Sequence, residues 1–320
     1  MSILGLDISK NTFHATVFHH NKSYRRTFGK QPKGFAELHR WLSKKAVACG
    51  HACMEATGIY WEQVAHVLHE LGWTVSVITP LRIKAFAQTD LARNKTDRYD
   101  SWLIARFCQE KRPAAWGPPS PTQRKLQALS RHLEALEQTL QQQRNRLEAC
   151  VDETVQQSLQ EIITQLEHHI TKIKQQIQGH IDDTPELKRD QDLLCSITGI
   201  GPKTAQKIMA EVPTMTTYPN ARKVAAHAGV TPKHVQSGTS IHGKPKLSKI
   251  GNARLRKALY VPAISAIQHN PIIKDFANRL RQNGKTEMCI IGAVMRTLLH
   301  LSYGVLKHNQ PFDPNFLHNA

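Results

Sequence analysis

The sequence predicts an α/β domain followed by a mainly helical one, with long helices between them. Three observations carry this. Up to residue 110, three strand-like runs follow one another, and then strands alternate with helical periods. Residues 111–121 hold four prolines, whereas residues 122–178 hold neither proline nor glycine. From Val212 to Lys274 there is no Asp or Glu, against ten Lys and Arg. The expected division is 1–112, 113–185 and 186–320.

In the first part, Ser2–Ser9 reads as a buried strand with Asp7 between Leu6 and Ile8. A carboxylate there costs free energy unless it accepts hydrogen bonds or holds a cation. Thr12–Phe18 and Tyr24–Phe28, turned at His20-Asn21-Lys22, read as a hairpin. Residues 32–46 have a helical period. His51–Glu55 reads as a strand with Glu55 at its carboxyl end, where ligands gather in α/β sheets. A helix from Tyr60 to Leu71, a strand Trp73–Thr79 and a helix Leu81–Ala87 follow, then a polar connector 90–95. The next helix opens at Thr96-Asp97-Arg98-Tyr99-Asp100, with Thr96 as its expected N-cap. Asp97 and Asp100 are three apart and share a helix face. Acids in a first turn are also ordinary partners of the helix dipole. The order β-β-β-α-β-α-β-α-α is the ribonuclease-H-like plan, and Asp7, Glu55, Asp97 and Asp100 fall on its acid-bearing elements.

The second part repeats Leu126, Leu129, Leu133, Leu136, Leu140 and Leu147, then Ile162 to Ile177, at three- to four-residue spacing. Two long helices in an antiparallel coiled coil are expected, broken near Cys150–Thr154, as a spacer or dimer arm. The third part opens with Ile197-Thr198-Gly199-Ile200-Gly201-Pro202 between helical periods, a helix-hairpin-helix pattern. Such a turn can cradle a backbone phosphate or simply join two helices.

The formal net charge is +18 and the pI near 9.8, so a polyanion partner is expected, nucleic acid first. Lys203, Lys233, Lys244, Lys246, Lys249, Arg254, Arg256 and Lys257 are the candidate contacts. No apolar run reaches membrane-spanning length and the N-terminus has no basic leader, so a cytoplasmic protein without a membrane partner is expected. The six cysteines contain no CxxC pair, which favours reduced, mostly buried thiols over disulfides or zinc. Residues 235–244 read as a hydroxyl- and glycine-rich loop between basic flanks. Its serines are either turn formers or, among cations and phosphates, a nucleophile.

Four acids brought together repel one another unless divalent cations neutralise them, and oxygen-only ligands suit Mg²⁺ or Mn²⁺. Beside a basic region, metal-assisted cutting or rejoining of a nucleic-acid backbone is the economical reading.

The blocks Gly5–Lys10, Met54–Gly58, Lys95–Asp100, Ile197–Pro202, Ser237–Ser240 and Ser248–Asn252 resemble, in order and over nearly the whole chain, the DEDD-type transposases of bacterial insertion sequences, the IS one-ten family. The resemblance implies a RuvC-like N-terminal domain with Asp7, Glu55, Asp97 and Asp100 as metal ligands. It implies a coiled-coil insertion and a C-terminal transposase domain whose catalytic serine attacks a DNA phosphodiester. Ser237 is the expected nucleophile, ahead of Ser240 and Ser248. It implies donor and target DNA, a structured guide RNA (the bridge RNA) and a homo-oligomer, a dimer or tetramer, that completes the site between subunits. A Holliday-junction resolvase-like nuclease using water is the near alternative. A non-catalytic nucleic-acid-binding protein is the distant one.

Overall fold

A computed structural model describes residues 2–89, 97–237 and 241–314; at 89, 97, 98, 234–237 and 241–245 it describes the backbone alone. The chain divides into two units, Met1–Pro118 and Pro119–Ala320.

In the first unit, strands β1 (Ser2–Ile8), β2 (Thr12–His19) and β3 (Lys22–Gly29) form an antiparallel meander. His20 and Asn21 turn β2 into β3 with φ of 46° and 58°. Two left-handed residues match the twist of a two-residue hairpin. Helix α1 (Pro32–Ser43), strand β4 (Gly50–Glu55), helix α2 (Trp61–Glu70), strand β5 (Thr74–Ile78) and helices α3 (Pro80–Thr89) and α4 (Asp97–Lys111) follow. The sheet order is β3-β2-β1-β4-β5, with β1, β4 and β5 parallel. That is the expected ribonuclease-H-like arrangement.

Alternation along β1 feeds two cores. Leu4 and Leu6 join Phe13, Phe28, Trp41 and Leu68 on one face. Ile3 joins Cys53, Ile78, Phe86, Ile104 and Phe107 on the other. Gly5 and Asp7 share the second face with Ile3. The expected cap Thr96 and the connector 90–95 lie outside the described residues.

The second unit opens with helices α5 (Pro121–Ala149) and α6 (Glu153–Asp182). Ser120 and Gln123 form a capping box at the start of α5, and Asp152 caps α6. The pair is antiparallel. His180 lies 2.9 Å from the Thr122 carbonyl at one end, and Arg144 bonds Glu167 at 2.6 Å nearer the other. Leu126, Leu133, Ile170, Ile177 and Ile181 join the main core of this unit. Helices α7 (Pro185–Cys195), α8 (Pro202–Glu211), α9 (Ala221–Ala228), α10 (Ala253–Ala258), α11 (Tyr260–His269), α12 (Pro271–Gln282) and α13 (Glu287–His308) build the rest of that core.

Two expectations need correction. The stretch read as a loop over 235–244 is a two-stranded antiparallel hairpin, β6 (Pro232–Ser237) with β7 (Ile241–Leu247). β-branched Val235 and Ile241 favour extended backbone, and two strands have only edges, where Pro232 and Pro245 are tolerated. The membrane reading missed α13, which is long and apolar enough to cross a bilayer by length and composition. Arg296 and His300 interrupt its apolar run, which is why the sequence hid it. Half of its apolar window is buried inside the protein, and Ile290, Val294, Leu298 and Leu299 are fully buried there.

Candidate active site and basic surface

Strand register and one close helix packing bring the ends of β1 and β4, with Asp7 and Glu55, and the start of α4, with Asp100, to one end of the sheet. β1 and β4 pair in parallel up to Leu6↔Met54. Asp7 and Glu55 each follow that pair by one residue, so they stand side by side at the carboxyl ends of neighbouring strands. Both are half-buried. Thr57 donates to Glu55 Oε1 at 3.3 Å. His14 stands directly across from Asp7 on β2, and its Nδ1 lies 2.8 Å from Thr27 Oγ1.

Helix α4 reaches this place because Gly5 has no side chain. A Cβ on Gly5 would meet the Ser101 carbonyl oxygen at 2.2 Å and the Ala105 nitrogen at 2.3 Å. Thr16, the cross-strand partner of Gly5, exchanges a 2.9 Å hydrogen bond with Ser101. Farther along α4, Cys108 Sγ donates to the His51 carbonyl at 3.9 Å, beside Ile3. The helix therefore runs antiparallel to β1, and its first turn lies toward Asp7. Asp100, half-buried, immediately precedes Ser101, and Asp97 begins the helix one turn earlier. The side chain of Asp97 lies outside the described residues.

Below this cluster on the same sheet face sit His51 and Cys53 of β4, with Cys108 of α4, all buried. A hydrogen bond with Cys108, and then burial, push the Cys53 thiol far above its ordinary pKa. Burial pulls that of His51 down. All six cysteines are free thiols.

In the second unit, Ser237 ends β6, paired with Ile241. Its side chain and the whole of Ser240 lie outside the described residues. Ser248 follows the end of β7, and its amide donates to the Thr231 carbonyl at 2.9 Å. The Ser248–Asn252 block ties α9 to α10. Lys249 has φ 55° and Gly251 φ 143°, and a Cβ on Gly251 would meet the His227 carbonyl oxygen at 2.2 Å. Asn252 caps α10 through Leu255 and donates to Glu211 at 2.7 Å, which also binds Arg131 at 3.2 Å.

The candidate basic contacts divide by environment. Lys233, Lys246 and Lys249 are exposed, and the side chain of Lys244 lies outside the described residues. Lys203 bonds Glu137 at 2.7 Å. Arg254 and Lys257 lie 3.3 and 3.8 Å from Glu134. The basic ends of these pairs are exposed, whereas Glu134 and Glu137 are half-buried. Arg256 points inward, donating to the carbonyls of Ala228 at 3.0 Å and Lys249 at 3.3 Å.

Parallel strands ending in neighbouring carboxylates, with a helix that opens on two more acids, match the acid placement expected of a ribonuclease-H-like domain. The transposase model for DEDD domains of IS110 elements matches residues 4–156, and the transposase model of the IS116/IS110/IS902 family matches residues 191–278. The pilin gene-inverting proteins of Moraxella bovis and Moraxella lacunata are each 37% identical over 320 residues, covering 97% of both chains. The IS110 uncharacterized 43.6 kDa protein of Streptomyces coelicolor is 26% identical over 149 residues, 46% of this chain and 36% of that one. A solved structure, T. thermophilus RuvC in complex with Holliday junction substrate, aligns over 36% of this chain and 98% of that one, at 14% identity and a TM-score of 0.26. The protein belongs to the IS110-type DEDD transposase family and is a DNA transposase/recombinase enzyme.

Proposed function

We propose that this protein cuts and rejoins DNA strands through a serine nucleophile, with divalent metal held at Asp7, Glu55, Asp97 and Asp100. The observation that carries the reading is the side-by-side placement of Asp7 and Glu55 under the first turn of α4. All four donors are carboxylates, a set that fits Mg²⁺ or Mn²⁺ and not a thiol-seeking ion. When bound, such ions neutralise charge developing on the scissile phosphate.

The chain's own groups do the rest. Ser237 Oγ attacks phosphorus as it gives up its proton, an Oγ–P bond forms, and the P–O bond to one deoxyribose oxygen breaks as that oxygen takes up a proton in exchange. Attack by a different deoxyribose hydroxyl reverses these changes, frees the serine and joins new strands. Lys233, Lys244, Lys246 and Lys249 flank that serine in sequence and attract the phosphate backbone. The turn between α7 and α8 acts as a helix-hairpin-helix contact through Gly201, the exposed N-cap of α8, and Lys203. Gly199 serves packing instead, since its Cβ would meet Ala266 at 2.6 Å.

The α5–α6 hairpin serves as a coiled-coil arm for a dimer or tetramer, in which acids and serine from different subunits meet at one phosphate. Exposed Val151, at 91%, Val155 and Ile162 support that use. A structured guide RNA selects donor and target DNA, as the resemblance of the ordered sequence blocks implies. The identity to pilin gene-inverting proteins favours inversion of a DNA segment as a second outcome of the same chemistry.

The test is to purify the protein with its bound RNA, sequence that RNA, and assay DNA strand exchange with and without Mg²⁺. Alanine at Ser237, Ser240 and Ser248 is scored for a DNA-linked protein band. Loss of the band with Ser237→Ala alone is expected. A band persisting in that variant moves the nucleophile elsewhere, and cleavage with no band in the wild type favours water.

A further inference from the structure

The N-terminal unit carries a second set of donors of a different chemical kind. A ring nitrogen of His51 and the sulfurs of Cys53 and Cys108 all lie within 4.8 Å of one another. All three residues are buried, at 5%, 0% and 0% exposure. His51 and Cys53 are two apart on β4 and so share a sheet face, and α4 crosses that face carrying Cys108.

The hydrogen bonds around His51 select its tautomer. Its Nε2 lies 2.8 Å from Ser76 Oγ. That hydroxyl is also 2.8 Å from the Ala114 carbonyl oxygen and 3.1 Å from that of Pro113. Carbonyls only accept, so the single hydroxyl proton goes to one of them. Nε2 must then be the donor toward Ser76, and Nδ1 carries the lone pair. A metal-bound histidine is oriented in this way, with its other ring N–H given to a neighbouring acceptor.

We propose that His51, Cys53 and Cys108 bind one zinc-class divalent ion. Two thiolates cancel the two charges of the ion, so the complex is neutral and can be buried without the cost of an isolated ion. Binding releases two protons, one from each thiol. Zinc–sulfur bonds of about 2.3 Å place tetrahedral donors roughly 3.7 Å apart, so the group need close by only about 1 Å. Soft sulfur donors reject Mg²⁺, whereas the carboxylates favour it, so one domain sorts two metals by ligand type. The scattered cysteines concealed the site from sequence reading because the donors lie on a strand and a helix far apart in the chain.

The position has a consequence. Glu55 follows Cys53 by two residues on β4, and Asp97 and Asp100 open the helix that carries Cys108. The ion clamps the strand bearing one acid to the helix bearing two. Binding itself stands without the proposed strand-transfer chemistry; only this consequence rests on it.

Cobalt titration of the full-length protein tests the site. One equivalent of Co²⁺ should raise near-ultraviolet sulfur-to-cobalt charge-transfer bands and visible bands of tetrahedral intensity, and Zn²⁺ should abolish both. The bands should vanish in Cys53→Ala and Cys108→Ala and persist in Asp7→Asn. Circular dichroism establishes whether the variants fold. A readout free of variants is N-ethylmaleimide labelling with peptide mass spectrometry. Zn²⁺ should slow labelling of Cys53 and Cys108 during mild urea exposure and leave exposed Cys49 and Cys289 unchanged. A stoichiometric cobalt spectrum without sulfur bands, or labelling rates indifferent to zinc, overturns the proposal. So does a Cys53–Cys108 disulfide in protein purified without reductant whose reduced form binds no metal.

Discussion

Gly5 of β1 lies against Ser101 of α4 so closely that a Cβ on the glycine would sit 2.2 Å from the serine's carbonyl oxygen. Strand and helix touch backbone to backbone, and the contact sets where the first turn of α4 falls relative to Asp7. Neither backbone can move aside cheaply. Gly5→Ala is therefore expected to destabilise the protein by about 1–3 kcal/mol, the range for an overpacked core, in urea unfolding. It should also lower metal-dependent DNA cleavage by displacing α4. Gly117→Ala, with nothing within 4 Å of its added methyl group, should stay within about 0.5 kcal/mol of wild type.

Asp7→Asn and Asp100→Asn keep the shape of each side chain and remove its charge. Metal-dependent strand cleavage should fall by roughly a hundred-fold or more in each, since metal supplies several kcal/mol of charge stabilisation. Unfolding curves should remain close to wild type. A gel assay over Mg²⁺ concentration reads the effect. Cleavage that survives in both variants removes these acids from the mechanism.

The basic residues separate into two kinds by their partners. Lys246→Gln removes an exposed charge, so DNA affinity should drop evenly across sequences. The slope of log affinity against log salt should become shallower by about one. Arg256→Gln removes donors to the carbonyls of Ala228 and Lys249, so its effect should appear in the melting temperature instead. Fluorescence anisotropy over a salt series and a thermal melt distinguish the two. Equal slopes for Lys246→Gln and wild type would take Lys246 off the DNA surface.

His227 makes stability depend on pH. Burial lowers its pKa against a smaller opposing effect of Glu211, and its Nε2 is buried. Its Nδ1 lies 3.2 Å from the Tyr218 hydroxyl. As pH falls through about 6.5, the unfolded chain takes up a proton that the folded chain refuses. Stability should therefore be full above that pH and decline below it, toward the lowered folded value. The urea midpoint measured from pH 7.5 to 5.5 should fall more steeply for wild type than for His227→Gln. Parallel curves would exclude His227 as the source.

The first 110 residues were legible because each element there carries its own local signal. Period-two runs, a turn at His20-Asn21-Lys22 and period-3.6 runs required no knowledge of neighbours. The β6–β7 hairpin was misread because the hydroxyl- and glycine-rich composition of 235–244 resembles an open loop, and only cross-strand pairing distinguishes the two. Among the basic residues, sequence marked all alike. Salt bridges from α5 to Lys203, Arg254 and Lys257, and the inward turn of Arg256, depend on contacts many residues away.

The sequence by itself determined the order of elements through residue 111, the four acids and the excess of positive charge, because these follow from residue type and short-range period. Tertiary structure alone decided that Asp7 stands beside Glu55 and under the start of α4, since strand register and a glycine-sized gap are properties of packed pairs. It also decided that His51, Cys53 and Cys108 form one group. Cys53 and Cys108 are 55 positions apart along the chain, and only the packing of α4 on β4 removes that distance.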